Sequence, residues 1–461
     1  MESVDKKDFM TKGPIDKVIF SIAIPLMLNN LVRTMYNLTD GLFVARLSAE
    51  DFAATAFVWP LNHVFISLGI GIGIGATSLI SQYLGGNQID KANRYTDNTI
   101  FMIFILGLIM SFIGFFSSPF LLSLMGAEGD FLYKSNVYLK ISFIGLFFDF
   151  WYFGYQALLN SEGNTKSITK MSLISSLVNV ILDPILIFDK IPLTNLPGLG
   201  MGISGAAWAT VISKVVLLIL AIKTVKKTST LSINYKNLNP NKKVMRNILK
   251  IALPSALGMG GASIGFTIMN GFIQSYGTNT LAAFSMGNRV SDLVTQPQMG
   301  IGQALTSIIG QNLGSKNIKR VKDIFKRAVL IIIIISILSS IFIIVFKSPL
   351  LSIFIKDDAD PELWVLASEY LSFAAFIIFF MGLYSALNGF FQGIGQTKYT
   401  MYMSIGRLWL LRLPIIWFLG SFTSLGSTGI WIAMLGSNLL TVLYGFLMYR
   451  KIDLSFIGYK V

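Results

Sequence analysis

Long apolar stretches separated by short polar turns set the pattern of this chain. Twelve of them, at about 18 to 44, 53 to 84, 96 to 122, 132 to 160, 167 to 188, 201 to 222, 247 to 275, 280 to 312, 328 to 355, 362 to 392, 399 to 420 and 427 to 449, have the ~20 residues that an α-helix needs to cross roughly 30 Å of hydrocarbon. Lipid offers no water to bond a free N–H or C=O, so each stretch is expected to be a helix and not an open strand. The longest polar interruption, rich in Lys, Asn, Ser and Thr, runs from Lys223 to Arg246 and leaves six stretches on each side. The expected architecture is an all-α integral membrane protein of twelve transmembrane helices, with a first lobe over 1–230, a linker over 231–246 and a second lobe over 247–461.

The halves repeat each other at a spacing of about 229 residues. Ile22-Ala23-Ile24-Pro25 returns as Ile251-Ala252-Leu253-Pro254, and Gly71 and Gly73 return as Gly300 and Gly302. The segment QYLGGNQIDKANR from Gln82 returns as QNLGSKNIKRVKD from Gln311, and GNTK at Gly163 returns as GQTK at Gly395 with a small slip in register. An even number of helices per repeat gives both lobes the same orientation, related by an axis along the membrane normal. A cleft between such lobes can open to either side, which points to transport. The run GIGIGIG from Gly69 to Gly75 lies inside an apolar span with no strand before it, so it reads as close helix contact and not as a nucleotide loop.

Composition sets the solvent. With 53% hydrophobic and 13% charged residues and a mean hydropathy of +0.66, the chain cannot hide its apolar residues in one water-soluble core. Its formal charge of +14 is a matter of topology: 26 basic residues fall on the side of the termini, and only Arg46, Lys134, Lys190, Lys347 and Lys356 on the other, which also carries the acidic run from Lys356 to Glu362. By the positive-inside rule both termini are expected in the cytoplasm, in a multi-pass protein of the cell membrane. No nucleic-acid partner is needed to account for the charge. The polar N-terminus lacks the apolar run and cleavage site of a removed signal. With no cysteine, one histidine and no Walker A motif, there is no evident metal, thiol or ATPase chemistry, and neither an enzyme nor a cofactor is expected.

Ionisable groups at membrane depth are costly, so each one is a functional candidate. Asp40 and Asp183 are expected roughly 10 Å in from the same face. Asn179 precedes Asp183 by four residues, on one helix face, and Ala206 stands in the same relation to Thr210. Two carboxylates, an amide, a hydroxyl and the Ala206 carbonyl, if a local distortion frees it, could hold a sodium ion through Asp40, Asn179, Asp183 and Thr210. They could equally share protons, because two close carboxylates in a low dielectric do not both stay ionised. Either makes a site at which proton or sodium flow is coupled to transport.

Taken together, the IAIP at Ile22, the LGGNQIDKANR from Leu84, the LNSEGNTK from Leu159, the NVILDP from Asn179 and the GAAWAT from Gly205 resemble the multidrug and toxic compound extrusion (MATE) family over residues 15 to 450. That resemblance implies an antiporter that expels amphiphilic, often cationic compounds against inward flow of protons or sodium, by rocking two lobes about a central cavity. It also implies that Asp40, Asn179, Asp183, Ala206 and Thr210 are the coupling residues and that Pro25 is the hinge of the first helix, where a proline removes one helical bond and permits a kink. No acid lies between Ile251 and Tyr276, and Glu369 is close to the end of its span, so the chain departs from the sodium-coupled bacterial branch with acids in the C-terminal lobe and, as a bacterial member, resembles more closely the branch whose cation site is in the N-terminal lobe.

Other intramembrane groups are candidates for the substrate or proton path: Asp292, Asp149, Lys214 and the lone His63. Lys214, one turn beyond Thr210, is expected either to serve as a counter-ion to Asp183 or to snorkel toward the cytoplasm. Arg289 and Asp292 are expected to form an ion pair. Arg33, Arg407 and Arg412 within spans leave an anionic or zwitterionic substrate open, and Met and Phe are abundant enough to give a promiscuous binder adaptable contacts. The partners expected are a small amphiphilic substrate and the bilayer, with the protein acting as a monomer. The rival functions are a flippase for lipid-linked precursors and, less favoured, a membrane-embedded enzyme.

Overall fold

The computed structural model describes residues 3–192, 194, 196–234, 240–355 and 360–456, with side chains from residue 8 to residue 455. Lys6, Lys7, Lys236, Lys356 and Lys460 of the charge count, and most of the acidic run, lie outside the side chains described. A short helix α1 (Ser3–Lys12) precedes the first half, which comprises α2 (Ile15–Ala45), α3 (Ala49–Gly85), α4 (Ile89–Leu124), α5 (Gly129–Ser161), α6 (Thr165–Ile187) and α7 (Gly202–Thr228). The second half comprises α8 (Lys242–Gln274), α9 (Thr278–Gly314), α10 (Ile318–Val345) with the short α11 (Lys347–Ser352), α12 (Pro361–Gly393), the broken span α13 (Thr397–Ile405) and α14 (Leu413–Phe422), and α15 (Thr428–Lys451).

Eleven of these units are long and apolar enough to cross a membrane. The twelfth long helix, α9, is diluted by Asn288, Arg289, Asp292, Gln296, Gln298 and Gln303, as befits a helix that lines an interior cleft. The uniform eleventh span expected from hydropathy is instead interrupted by a π-helical segment, Gly406–Arg412. Near its two ends are buried arginines: Arg407 bonds Asn438 Oδ1 at 3.1 Å, and Arg412 bonds Ser437 Oγ at 3.0 Å. The widened turn aims both side chains at α15, where a regular helix would carry them on different faces.

The first helix of each half packs on the other half. Val18, Ile19, Ile22 and Leu26 of α2 share a core with α9, α10 and α12, while Val244, Ile248, Ile251 and Ala252 of α8 share one with α3, α4 and α5. Small residues permit the approach. A Cβ on Gly71 would stand 2.8 Å from the Ala256 Cβ, and one on Gly300 would stand 2.6 Å from Met27 Cγ, and these two contacts are related by the repeat. Near the face that carries the termini, α3 and α9 cross at Gly85 and Gly314, where a Cβ on either would fall on the other helix's backbone.

That face is also tied by polar contacts. Gln82 Nε2 donates to the Gly393 carbonyl at 3.1 Å, Gln311 Nε2 to the Ser161 carbonyl at 2.7 Å, and Asn312 Nδ2 to the Met10 carbonyl at 3.1 Å. Arg320 reaches the Gly13 carbonyl, and Arg327 grips Asp16 with two bonds of 2.6 and 2.8 Å. Among the described residues, the hydrogen bond between the halves that lies farthest from this face is Ser263 Oγ with His63 Nδ1, at 2.7 Å. The seam is closed at the terminal face and secured only as far as mid-depth.

Candidate ion-coupling site and central cavity

The polar residues near the far ends of α2, α6 and α7 meet because α6 and α7 lie unusually close. Gly205 closes the first turn of α7, and a Cβ there would come 2.5 Å from the Leu186 carbonyl oxygen. The chain between these helices folds back on α6, with Leu199 N–H donating to the Ile185 carbonyl and Met201 N–H to that of Leu186. Ala206, fully buried, follows the glycine and packs with Val44 and Ile187 as an apolar cover toward the outer end. One turn further along α7, Thr210 reaches the level of Asn179 and Asp183.

Asn179 and Asp183 are both 0% exposed, and helix α6 continues through Pro184 to Ile187, so Asp183 sits within the helix and not in a turn. With its nitrogen facing the carboxylate, the Asn179 amide donates to Asp183 Oδ2 at 2.8 Å, and its oxygen accepts the Thr210 N–H at 3.2 Å. The Ala206 carbonyl, the helical partner of that N–H, therefore has a competitor for it. This is the local sharing that would leave the carbonyl free for another ligand. The Thr210 hydroxyl lies 3.2 Å from the Tyr36 hydroxyl, and Tyr36 stands one turn before Asp40 on α2. Asp40 and Asp183 are close enough to feel each other's charge, and the Tyr36 and Tyr138 hydroxyls lie in the same field. Asp40 Oδ1 is buried and has no hydrogen-bond partner among the described residues.

All five residues proposed for coupling thus gather in one place. The structure adds Tyr36 and Tyr138, which sequence reasoning missed; Tyr36 could have been found by the same four-residue spacing that joined Asn179 to Asp183. It also changes the account of Lys214. The side chain neither approaches Asp183 as its bonded partner nor turns to the terminal face, but forms an ion pair with Asp149 Oδ2 at 2.6 Å. Pro25 lies inside α2, where it deprives the Ser21 carbonyl of its helical N–H, and its own carbonyl accepts from Thr169 Oγ1 at 2.6 Å.

The remaining candidates lie apart from this cluster. His63 is engaged across the seam with Ser263 and stacks on Trp59 at 5.0 Å. Asp292 is exposed, and the expected pair with Arg289 does not form; both side chains are exposed, where a three-residue spacing gains too little to offset the rotamer freedom lost. Glu369 accepts from Thr428 Oγ1 at 2.5 Å.

Between the lobes, above the closed seam, is a cavity of about 360 Å³. Its walls carry eight Asn and Gln side chains, and among its lining residues the one charged group is Arg33. Asn29 Oδ1, Asn30 Nδ2, Asn160 Oδ1 and both amide atoms of Gln298 are buried and have no hydrogen-bond partner among the described residues. Arg407 stands behind the wall, 4.5 Å from the Tyr384 ring. Met259, Met299, Met381, Phe153 and Tyr384 give the adaptable apolar surface.

The MatE family model matches this chain over residues 25–185 and again over 254–418, once in each half. The chain is 26% identical over 434 residues to the probable multidrug resistance protein YoeA of Bacillus subtilis (strain 168), covering 92% of each. It is 26% identical over 445 residues to the multidrug export protein MepA of Staphylococcus haemolyticus, covering 96% of this chain and 95% of that one. Its fold matches the outward-facing conformation of a multidrug resistance MATE transporter of the MOP superfamily with a TM-score of 0.89 at 25% identity, over 96% of both chains. The duplicated helical fold, the two family matches and these full-length relatives identify the chain as a member of the MATE family of multidrug efflux transporters, a multi-pass membrane protein and not an enzyme.

Proposed function

We propose that this chain is a secondary active antiporter that exports small amphiphilic compounds, cationic ones included, in exchange for protons or sodium bound at Asp40, Asn179, Asp183, Ala206 and Thr210. The observation that carries the reading is the convergence of two carboxylates, an amide and a hydroxyl inside one lobe, one carboxylate oxygen being buried and unpartnered. At the matching repeat positions the other lobe has Met269 and Leu413. Loading the site with a cation removes the repulsion between the carboxylates and lets α2, bent or straightened about Pro25, repack on α6 and α7.

The substrate occupies the amide-lined cavity, and a cationic one would find Asp292 one turn beyond Thr295 of the lining. Rocking about the α2–α9 and α3–α8 seams then exchanges the closed face. In this reading the lobes divide at the polar segment 231–246, the terminal face is cytoplasmic, and the monomer is the working unit. A lipid-linked precursor flippase is the second reading, favoured by Arg33 as the charged group of the cavity.

The test is reconstitution in liposomes with a proton or a sodium gradient imposed separately, reading uptake of an amphiphilic cationic dye. Gradient-driven uptake that Asp40→Asn abolishes supports the antiporter. Uptake that neither gradient drives and Asp40→Asn leaves unchanged overturns it.

A further inference from the structure

The first lobe contains a cation of its own. Lys214 lies on α7 one turn from Thr210, on the face that Ala206 and Thr210 present to the coupling site. Its ammonium is held by Asp149 at 2.6 Å, with side-chain exposures of 19% and 14%. Gly145, one turn before Asp149 on α5, makes the room: a Cβ there would stand 3.4 Å from both Cδ and Nζ of Lys214 and 3.1 Å from Val211 Cγ2.

The ammonium is a compact point charge on a flexible four-carbon stem. It lies within Coulombic reach of Asp40, whose Oδ1 is buried without a partner. The pair Asp149–Lys214 is neutral as a unit, so Asp149 offsets much of the ammonium's pull on the coupling site. Remove the Asp149 charge, and Asp40 is a carboxylate still within the ammonium's Coulombic reach.

We propose that Asp149 is a positioning residue that holds Lys214 off the Asp40–Asp183 pair, so that Lys214, if released, occupies the site in place of the transported ion. Lys214 is then a tethered competitor, whose effective concentration at the site is set by the reach of its own side chain. The proposal rests on the coupling role given above to Asp40 and Asp183.

The test uses the full-length protein in liposomes, with Asp149→Asn, Lys214→Met and the double variant, and reads two quantities: the proton or sodium concentration for half-maximal dye exchange, and the KM for the dye. Asp149→Asn is expected to raise the half-maximal ion concentration about tenfold or more, with little change in dye KM. Adding Lys214→Met to it should restore the ion requirement to near that of the parent, because the competitor is gone.

A merely structural ion pair predicts the opposite pattern: both single variants lose thermal stability together, and dye KM moves with the ion requirement. That pattern, or a double variant no better than Asp149→Asn, overturns the proposal. Should Asp149→Asn fail to fold, Gly145→Val, which fills the space beside the Lys214 stem without altering charge, is expected to raise the ion requirement in the same direction, and an unchanged requirement overturns the proposal. If Asp40→Asn keeps its ion dependence, the coupling assignment itself is wrong. If Asp40→Asn loses it while the double variant shows no rescue, only the role of Asp149 is wrong.

Discussion

Arg412 Nη1 lies 3.8 Å from the sulfur of Met269, the residue that stands in the second lobe where Asp40 stands in the first. The guanidinium is 2% exposed, and its contacts here are Met269, Ser437 Oγ at 3.0 Å and, at 6.0 Å, the Phe266 ring. Among the described residues no carboxylate pairs with it within 4 Å. A buried cation among neutral partners is a costly arrangement. Met269→Asp is therefore expected to stabilise the fold, by the ~1.5–3 kcal/mol of a charged hydrogen bond, and to add no ion to the transport cycle. Thermal unfolding and the ion-to-substrate ratio check the two halves of the statement. A lower melting temperature, or a second coupled ion, contradicts it.

Asn179 joins Asp183 to Thr210, so removing its amide should loosen the ion site without touching the cavity. Asn179→Ala is expected to weaken ion binding about 10- to 100-fold, the loss of one hydrogen bond to a carboxylate, while dye affinity stays level. Ion titrations of transport and equilibrium dye binding separate the two effects.

Gly205 keeps α7 against α6. Its Cβ would meet the Leu186 carbonyl at 2.5 Å, and backbone cannot give way as a side chain does. Gly205→Val should cost about 1–3 kcal/mol and spread Thr210 from Asn179. Gly436, whose added Cβ would meet nothing within 4 Å, is the control: Gly436→Ala should be nearly silent. Melting temperatures and ion dependence of both variants test this.

Asp16 and Arg327 link the lobes on the terminal face, with side chains 45% and 47% exposed. Exposed pairs contribute little and are screened by salt. Asp16→Asn is expected to leave global stability unchanged and to shift the population toward opening of this face by a small amount, which high salt should reproduce in the parent. Distances between spin labels on α2 and α10 report it; a large shift, or one insensitive to salt, rules out this account.

What was legible in the sequence was local. Span lengths, the repeat, and the pairs Asn179 with Asp183 and Ala206 with Thr210 all follow from periodicity within one helix. The partner of Lys214 did not follow, because Asp149 belongs to a different hairpin and only the rotation of α5 and the gap at Gly145 bring the two together. Arg289 and Asp292 show the reverse failure: helical spacing placed them as neighbours, and exposure left them unpaired. The π-helical segment between Arg407 and Arg412 was illegible as well, since its cause is Ser437 and Asn438 on α15. The contents of the cavity wall, amides and one arginine, come from four or more helices and have no signature along the chain.

The crossing of α3 and α9 has an ancestral meaning. Gly85 abuts Gln311 and Gly314 abuts Gln82, and the repeat exchanges one contact for the other. A surface that touches its own copy in this reciprocal way is the hallmark of an isologous two-fold interface between identical subunits. The ridge that closes this transporter is therefore self-complementary, the kind of contact that a six-helix unit can make with a second copy of itself. Away from this crossing the lobes differ, the first placing Asp40 where the second has Met269.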